Sequence, residues 1–354
     1  MTWRPAPSAD PAPYPADGRL LLPWRALQHP VDWARRFGRA APLHLEVGFG
    51  DGRFTALRAL AHPGDDFVGL EVSGTSVLRA LRRLRRDGVG NVRLCKAPAE
   101  VAVRVLFAPA SLSSITVNFP DPWPKERHAD HRLLRAPFFR LAATRLVPGG
   151  EVRLASDHLP YVAFAREEAL ASGVARLLDR PAPPEVFETK YALKWRGQGR
   201  PLHYQVFVLD GAGVPAPAPL GRPDPMPHAL LEGPWPAADV RFDKLVVPAP
   251  GGHVIVHEAA RAVAGGAVAG GAVAGGDATT AADAQRWWFR VTVDEPELVQ
   301  QLLVVAQRRA GGEVIVRLES FGDPLITPTV RAAIDAVTDW LVAAGGMRVR
   351  ARNT

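Results

Sequence analysis

The chain has 354 residues, 43 basic and 36 acidic, giving a formal net charge of +7, and a single cysteine, Cys95. That length holds two domains of ordinary size. One cysteine excludes an intramolecular disulfide and an all-cysteine metal cluster and predicts a reducing, cytoplasmic setting, while the basic balance points to a polyanionic partner, nucleic acid first. Coding bias also raises arginine in a chain with only five lysines (Lys96, Lys125, Lys190, Lys194, Lys244), so the place of the charge matters more than its total. Met1 to Asp210 carries 30 bases and 21 acids, a net of +9, and Gly211 to Thr354 carries 13 and 15, a net of −2.

In chain order, residues 1–36 read as a Pro/Ala-rich N-terminal segment. Met1 to Asp17 has no basic stretch followed by an apolar one, and no uninterrupted apolar run approaches about 18 residues. The expectation is a soluble protein without a membrane partner. Residues 37–210 read as one α/β domain, a doubly wound parallel sheet with crossover helices. Its strands are expected at Leu43 to Val47, Phe67 to Glu71, Asn91 to Cys95, Ser113 to Phe119 and Glu151 to Ser156. Helices are expected at Arg53 to Ala61 and Thr75 to Arg86, the latter with Val77, Leu78, Leu81 and Leu84 as its apolar stripe and Arg79, Arg82, Arg83, Arg85 and Arg86 as a solvated face. Val186 to Tyr191 and Pro201 to Leu209 read as extended runs joined by a basic Lys194 to Arg200 loop, an antiparallel edge on the sheet.

Residues 211–238 form a Pro-rich linker on composition. Residues 239–354 read as a small α+β domain, with strands at Arg241 to Val247, His253 to Glu258, Trp287 to Val293 and Glu313 to Glu319 and helices near Glu295 to Ala310 and Thr329 to Ala344. Within it, residues 262–276 repeat Ala-Val-Ala-Gly-Gly three times. Glycine pairs at that density cost too much backbone entropy for a helix or a strand, so the repeat reads as a flexible loop joining two strands.

The chemistry-bearing pattern begins where Leu43-His44-Leu45-Glu46-Val47 runs into Gly48-Phe49-Gly50-Asp51-Gly52 and then a helix. Glycines at spacing two let a backbone turn sharply under a nucleotide-like ligand. Glu71 closes the next strand, where a carboxylate accepts from ribose hydroxyls. A nicotinamide cofactor suits this layout, but the third glycine of its fingerprint comes one residue early and Arg53 stands there. Glu46 would also repel a pyrophosphate and attract the cationic amino-acid end of S-adenosylmethionine. The fourth strand then leads into Phe119-Pro120-Asp121-Pro122-Trp123-Pro124-Lys125, a stiff loop at the carboxyl edge of the sheet. It projects a carboxylate, an aromatic plane and a cation, the equipment for holding a base and its phosphate. His128 and His131 lack further ligands nearby in sequence, so no metal is expected. Cys95 reads as a buried strand residue.

These residues resemble the bacterial tRNA (guanine-N7-)-methyltransferases, over roughly Leu43 to Asp210. The Phe119 to Lys125 run is the most specific element, with Glu46-Val47-Gly48-Phe49-Gly50, Gly69-Leu70-Glu71-Val72 and Ala155-Ser156-Asp157 in support. The resemblance implies a Rossmann-like class I methyltransferase sheet. It also implies an enzyme that transfers a methyl group from S-adenosylmethionine to N7 of a guanine in the tRNA variable loop. The candidate donor-binding residues are then Glu46, Gly48, Gly50, Glu71, Asn118 and Asp121, with Asp121 catalytic. Lys125, Asp157, Thr189, Lys190 and Tyr191 are the implied tRNA contacts. Two positions depart from the family pattern: Ala192 replaces the glutamate of a Thr-Lys-Phe-Glu motif, and Pro98 replaces an aspartate near the adenine.

N7 of guanine carries an in-plane lone pair, so its methylation needs no prior deprotonation. Asp121 and Asp157 therefore read as orienting and charge-stabilising carboxylates, not as general bases. A non-catalytic RNA-binding protein of the same fold, a nicotinamide oxidoreductase, and a monomer or a homodimer all stay open on sequence alone.

Overall fold

In the computed structural model, residues 20–123, 131–217, 226–237, 239–261, 285–296, 298–309, 311–319 and 324–354 are described. Lys125, His128 and the repeat at 262–276 lie outside them. The chain divides into two compact units, Met1–Pro219 and Leu220–Thr354.

The first unit runs through β1 (Leu21–Leu22), α1 (Trp33–Phe37), β2 (Leu43–Val47), α2 (Arg53–Ala61), β3 (Asp66–Glu71), α3 (Gly74–Arg86), β4 (Val92–Lys96), α4 (Ala99–Leu106) and β5 (Leu112–Asn118). It continues through α5 (Ala136–Arg145), β6 (Leu146–Ser156), α6 (Leu159–Ala171), β7 (Ala175–Leu178), α7 (Pro184–Phe187), α8 (Lys190–Arg196) and β8 (His203–Leu209). The sheet order is β1-β4-β3-β2-β5-β6-β8-β7. Strands β1 to β6 pair in parallel, and β8 and β7 close the edge antiparallel. The winding reverses between β2 and β5, the point where an open α/β sheet leaves a crevice at its carboxyl edge.

Helices on both faces make the central strands nearly continuous apolar runs. Val68, Leu94, Cys95, Ile115 and Leu154 are fully buried. Burial pushes the Cys95 thiol up to about 12, which leaves it unreactive at neutral pH. Ser73 caps α3, accepting from the Ser76 amide at 3.3 Å, and its buried stripe is Val77, Ala80, Leu81 and Leu84. Leu78 is exposed, so Ala80 takes the stripe position read for it.

Several expectations are corrected. Residues 1–36 are not only a flanking segment: Leu21 and Leu22 extend the sheet beside β4, and α1 crosses the expected boundary. Val186 to Tyr191 is not extended. Pro184 starts α7 and Thr189 caps α8, so most of this stretch and the first three residues of the supposed basic loop, Lys194 to Arg196, are helical. The partner of β8 at the edge is β7.

The second unit is an antiparallel sheet in the order β10-β11-β12-β13-β14-β9-β15. Its strands are β9 (His228–Glu232), β10 (Leu245–Ala249), β11 (Gly252–Arg261), β12 (Arg286–Glu295), β13 (Leu298–Arg308), β14 (Val314–Leu318) and β15 (Arg348–Asn353). Val330, Ala333, Ile334, Val337 and Leu341 of α9 (Pro328–Gly345) join one core with Val254, Phe289, Val304 and Val316. The Pro-rich stretch is not solely a linker, because β9 lies between β14 and β15.

The helix expected over 295–310 is strand β13. Leu298, Gln300 and Leu302 are buried while Val299 and Gln301 are exposed, an alternation of period two. Gln300 holds both amide functions against Leu325, donating to its carbonyl at 3.0 Å and accepting from its amide at 2.9 Å. The chain between β11 and β12 carries the repeat, as the sequence suggests.

Candidate active site

At the end of β2 the chain turns through Gly48 and Gly50, whose φ angles are +74° and +54°. A side chain at either would meet no protein atom within 4 Å. The glycines are needed for backbone conformation, and they leave open space above the turn. Gly52 serves packing instead, since a Cβ there would lie 2.6 Å from that of Ala80, and its absence lets α2 and α3 approach. The carboxylate of Glu71 clasps the turn, accepting from the Gly50 amide at 3.0 Å and from the Val72 and Ser73 amides at 2.9 Å each. Arg83 of α3 ties in Asp51, donating to its carboxylate at 2.9 Å and its carbonyl at 3.1 Å.

Glu46 lies beneath this turn, 6% exposed. The Thr55 hydroxyl donates to its Oε2, and Asn118 Nδ2 donates to its Oε1 at 3.3 Å from the end of β5. Burial pushes the Glu46 carboxyl up to about 7; the charges of Asp51 and Glu71 add to this, and the two donors oppose it. Asn118 Oδ1 is buried without a hydrogen-bond partner. A carboxyl held near neutrality beside an unpaired acceptor is suited to a cationic ligand.

Beyond Asn118 the backbone enters a conformation uncommon for side-chain-bearing residues: Phe119 has φ +51° and Trp123 φ +41°. These two positions bracket Asp121, which is exposed. Arg132 holds the loop from outside, donating to the carbonyls of Pro122 at 3.1 Å and Trp123 at 2.9 Å, while its guanidinium lies 4.5 Å from the Phe164 ring centre. His131 packs against Trp123, with ring centres 5.0 Å apart.

At the end of the neighbouring strand β6, Asp157 accepts from Arg200 at 3.2 Å. It does not cap α6; His158 does, accepting from the Tyr161 amide at 3.1 Å. The aromatic face of α8 completes the region, with Tyr191 6.1 Å from Phe119 and 6.4 Å from Trp195.

The family model Methyltransf_4, a methyltransferase model, matches residues 40–204. A tRNA (guanine-N(7)-)-methyltransferase of Thermus thermophilus is 41% identical over 326 residues, covering 92% of this chain and 97% of the relative. The chain belongs to the tRNA (guanine-N7-)-methyltransferase family. A second member, from Deinococcus radiodurans, is 43% identical over 312 residues, covering 86% of this chain and 91% of that one. Among solved structures, the 16S rRNA methyltransferase KamB is similar at 17% identity and a TM-score of 0.39, covering 51% of this chain and 93% of that one.

Of the residues expected for a methyltransferase of this family, the fold brings Glu46, Gly48, Gly50, Glu71 and Asn118 to one crevice, with Asp121 on the loop leaving β5. Tyr191 adjoins Phe119. Lys190 is exposed, with its ammonium 5.5 Å from the Tyr191 ring centre. The side chain of Thr189, expected as a substrate contact, is engaged within the fold. It is buried, its hydroxyl donates to the Val186 carbonyl at 2.8 Å, and the same oxygen accepts from the Ala192 amide at 3.1 Å. Its side chain starts α8. Thr189→Ala is expected to cost about 1 kcal/mol of stability, read by urea denaturation. Thr55, Arg132 and Arg200 escaped the sequence reading, because each acts on a partner nine or more residues away, and Arg83, read as part of a solvated face, holds Asp51.

Among the described residues there is no metal-holding cluster of His, Cys, Asp or Glu, and no helix is long and apolar enough to cross a membrane.

Proposed function

We infer that this chain methylates N7 of a guanine in the tRNA variable loop with S-adenosylmethionine as donor, using the crevice at the ends of β2, β3 and β5 for the donor and the Asp121 loop for the acceptor. The observation that carries this assignment is Glu46 with Asn118 at the switch point, directly ahead of the strained loop. The fit to the donor rests on the unpaired Asn118 Oδ1, the semi-neutral Glu46 carboxyl and the open space over Gly48 and Gly50. A methionine ammonium supplies the hydrogen-bond donor that Asn118 Oδ1 lacks and a positive charge beside Glu46. Glu71 keeps acceptor capacity on Oε2, which takes one amide, for the ribose hydroxyls. Pro98 is the N-cap of α4 and carries no side-chain cap, so the first α4 amides offer donors for a ring nitrogen of the adenine, while the acceptor that the family's carboxylate gives its amine is missing.

The donor supplies an electrophilic methyl group on a sulfonium. The protein's remaining work is to place N7 in line and to stabilise positive charge as it reaches the purine. Asp121 and Asp157 supply negative charge for that purpose, and neither has to remove a proton. Lys190 and Tyr191 serve the RNA as cation and aromatic surface, and Lys125 is assigned a phosphate contact on its motif alone. A tRNA substrate and a buried lone cysteine accord with a cytoplasmic setting.

Tritium transfer from labelled S-adenosylmethionine into unmodified tRNA, mapped to the variable loop, tests the assignment. Absence of donor binding at millimolar concentration in calorimetry would overturn it. For Lys190→Ala the expected result is weaker tRNA binding, with the slope of log affinity against log salt reduced by about one unit; an unchanged slope removes Lys190 from the phosphate contacts.

A further inference from the structure

We propose that Arg200, seated on the Trp195 ring, aims Asp157 at the Watson–Crick edge of the target guanine and so sets base specificity. The proposal rests on the assignment of this crevice to guanine methylation and adds two residues to it.

The local chain fixes Arg200 in place. After α8 a tight turn brings the chain back, with the Gln198 and Arg200 amides both donating to the Trp195 carbonyl, at 2.9 Å and 3.0 Å. The Arg200 guanidinium consequently lies 4.3 Å from the Trp195 ring centre, and its Nη1 donates to Asp157 Oδ2 at 3.2 Å. Trp195 in turn stacks with Tyr191 at an interplanar angle of 24°, and Tyr191 meets Phe119. Aromatic and cationic groups thus form a continuous arc from Phe119, just past the end of β5, to Asp157, just past the end of β6. These strands are neighbours, paired through Asn118 and Ala155. The acceptor base has to come to the same strand ends to lie beside Asp121.

Guanine presents two adjacent donors, N1–H and the exocyclic amine, which match the two oxygens of a carboxylate. Arg200 occupies one lone pair of Oδ2, leaving Oδ1 and the rest of Oδ2 for the base. As N7 gains the methyl group and the purine becomes cationic, Asp157 can strengthen its hydrogen bonds without taking the N1 proton, so no proton changes hands. A planar guanidinium on a planar indole is held more firmly than a lysine ammonium would be.

The test uses the full chain and two tRNAs, identical except for guanosine or inosine at the target position. Inosine lacks the exocyclic amine and one donor with it. The wild type is expected to prefer guanosine by about tenfold in kcat/KM, the size of one charge-assisted hydrogen bond. Arg200→Ala should bring the ratio to within about twofold while S-adenosylmethionine affinity, measured by calorimetry, is unchanged. Arg200→Lys should fall between, and it carries the test if the alanine variant does not fold. A wild-type ratio near one, or a tenfold ratio retained in the Arg200 variants, overturns the proposal. Asp157→Asn separates the two levels of inference. If it also retains the ratio, the reading of Asp157 as a guanine contact fails; if it alone loses the ratio, only the role of Arg200 fails.

Discussion

Glu46→Gln is expected to weaken S-adenosylmethionine binding at least about a hundredfold at pH 8 while making the ligand-free protein more stable, not less. In the free protein the Glu46 carboxyl is raised from 4.5 to about 7, chiefly by burial. The folded state therefore keeps a proton that the unfolded chain releases between those values, and stability falls as pH rises through that window. The full loss, reached above pH 7, is of order 3 kcal/mol, at about 1.4 kcal/mol per unit. A neutral amide removes it. Rotating the Asn118 amide would also let the substituted side-chain amide donate to Asn118 Oδ1, ending the isolation of that atom.

Both changes that help the free protein remove what a cation needs, the negative charge and the unpaired acceptor. Thermal denaturation should show the variant melting above the wild type at pH 8, with the gap closing toward pH 4.5. Calorimetry in buffers of different ionisation enthalpy should show the wild type releasing a proton on binding the donor below pH 7. A variant that binds the donor normally, or a melting difference independent of pH, would remove Glu46 from the ammonium site.

The sequence made the parallel sheet legible because strands buried on both faces read as plain apolar runs. The glycine turn and the Pro-Asp-Pro loop also carry their geometry in their own residues. What escaped it depends on partners remote in the chain. β13 reads as a helix because Leu303 and Val305 fill the positions between its buried residues, and alternation emerges only once Val299 and Gln301 face solvent and Gln300 finds Leu325. The helical stretch after Pro183 hid behind Val186, Phe187 and Tyr191, whose β-forming preference outweighed the proline start and the Thr189 cap. In the site itself, Glu46 and Glu71 were recognisable by position in the strand. Arg132 and Arg200 were not: they lie 9 to 43 residues from the groups they hold.

Asp121→Ala is expected to lower kcat for methyl transfer by about a hundredfold or more, with tRNA affinity within about twofold of wild type. The carboxylate is exposed in the free protein, and other described contacts hold the loop. Arg132 grips the carbonyls of Pro122 and Trp123, and three of the loop's residues are prolines. The uncommon backbone at Phe119 and Trp123 costs of order 1–3 kcal/mol at each, and it persists because those contacts and the flanking strand hold the loop. Removing one side chain from a frame fixed in this way should leave the frame in place, so the loss falls on the reacting atoms.

Asp121→Asn divides the effect. It keeps the shape and a hydrogen-bond acceptor but not the charge. If charge stabilisation of the forming cationic purine dominates, asparagine should be nearly as inactive as alanine; if orientation dominates, it should recover most of the rate. Single-turnover tritium transfer, with filter binding of tRNA in parallel, measures both contributions. Wild-type turnover in Asp121→Ala would take this residue out of the catalytic centre, whereas a parallel loss of tRNA binding would make it a docking contact.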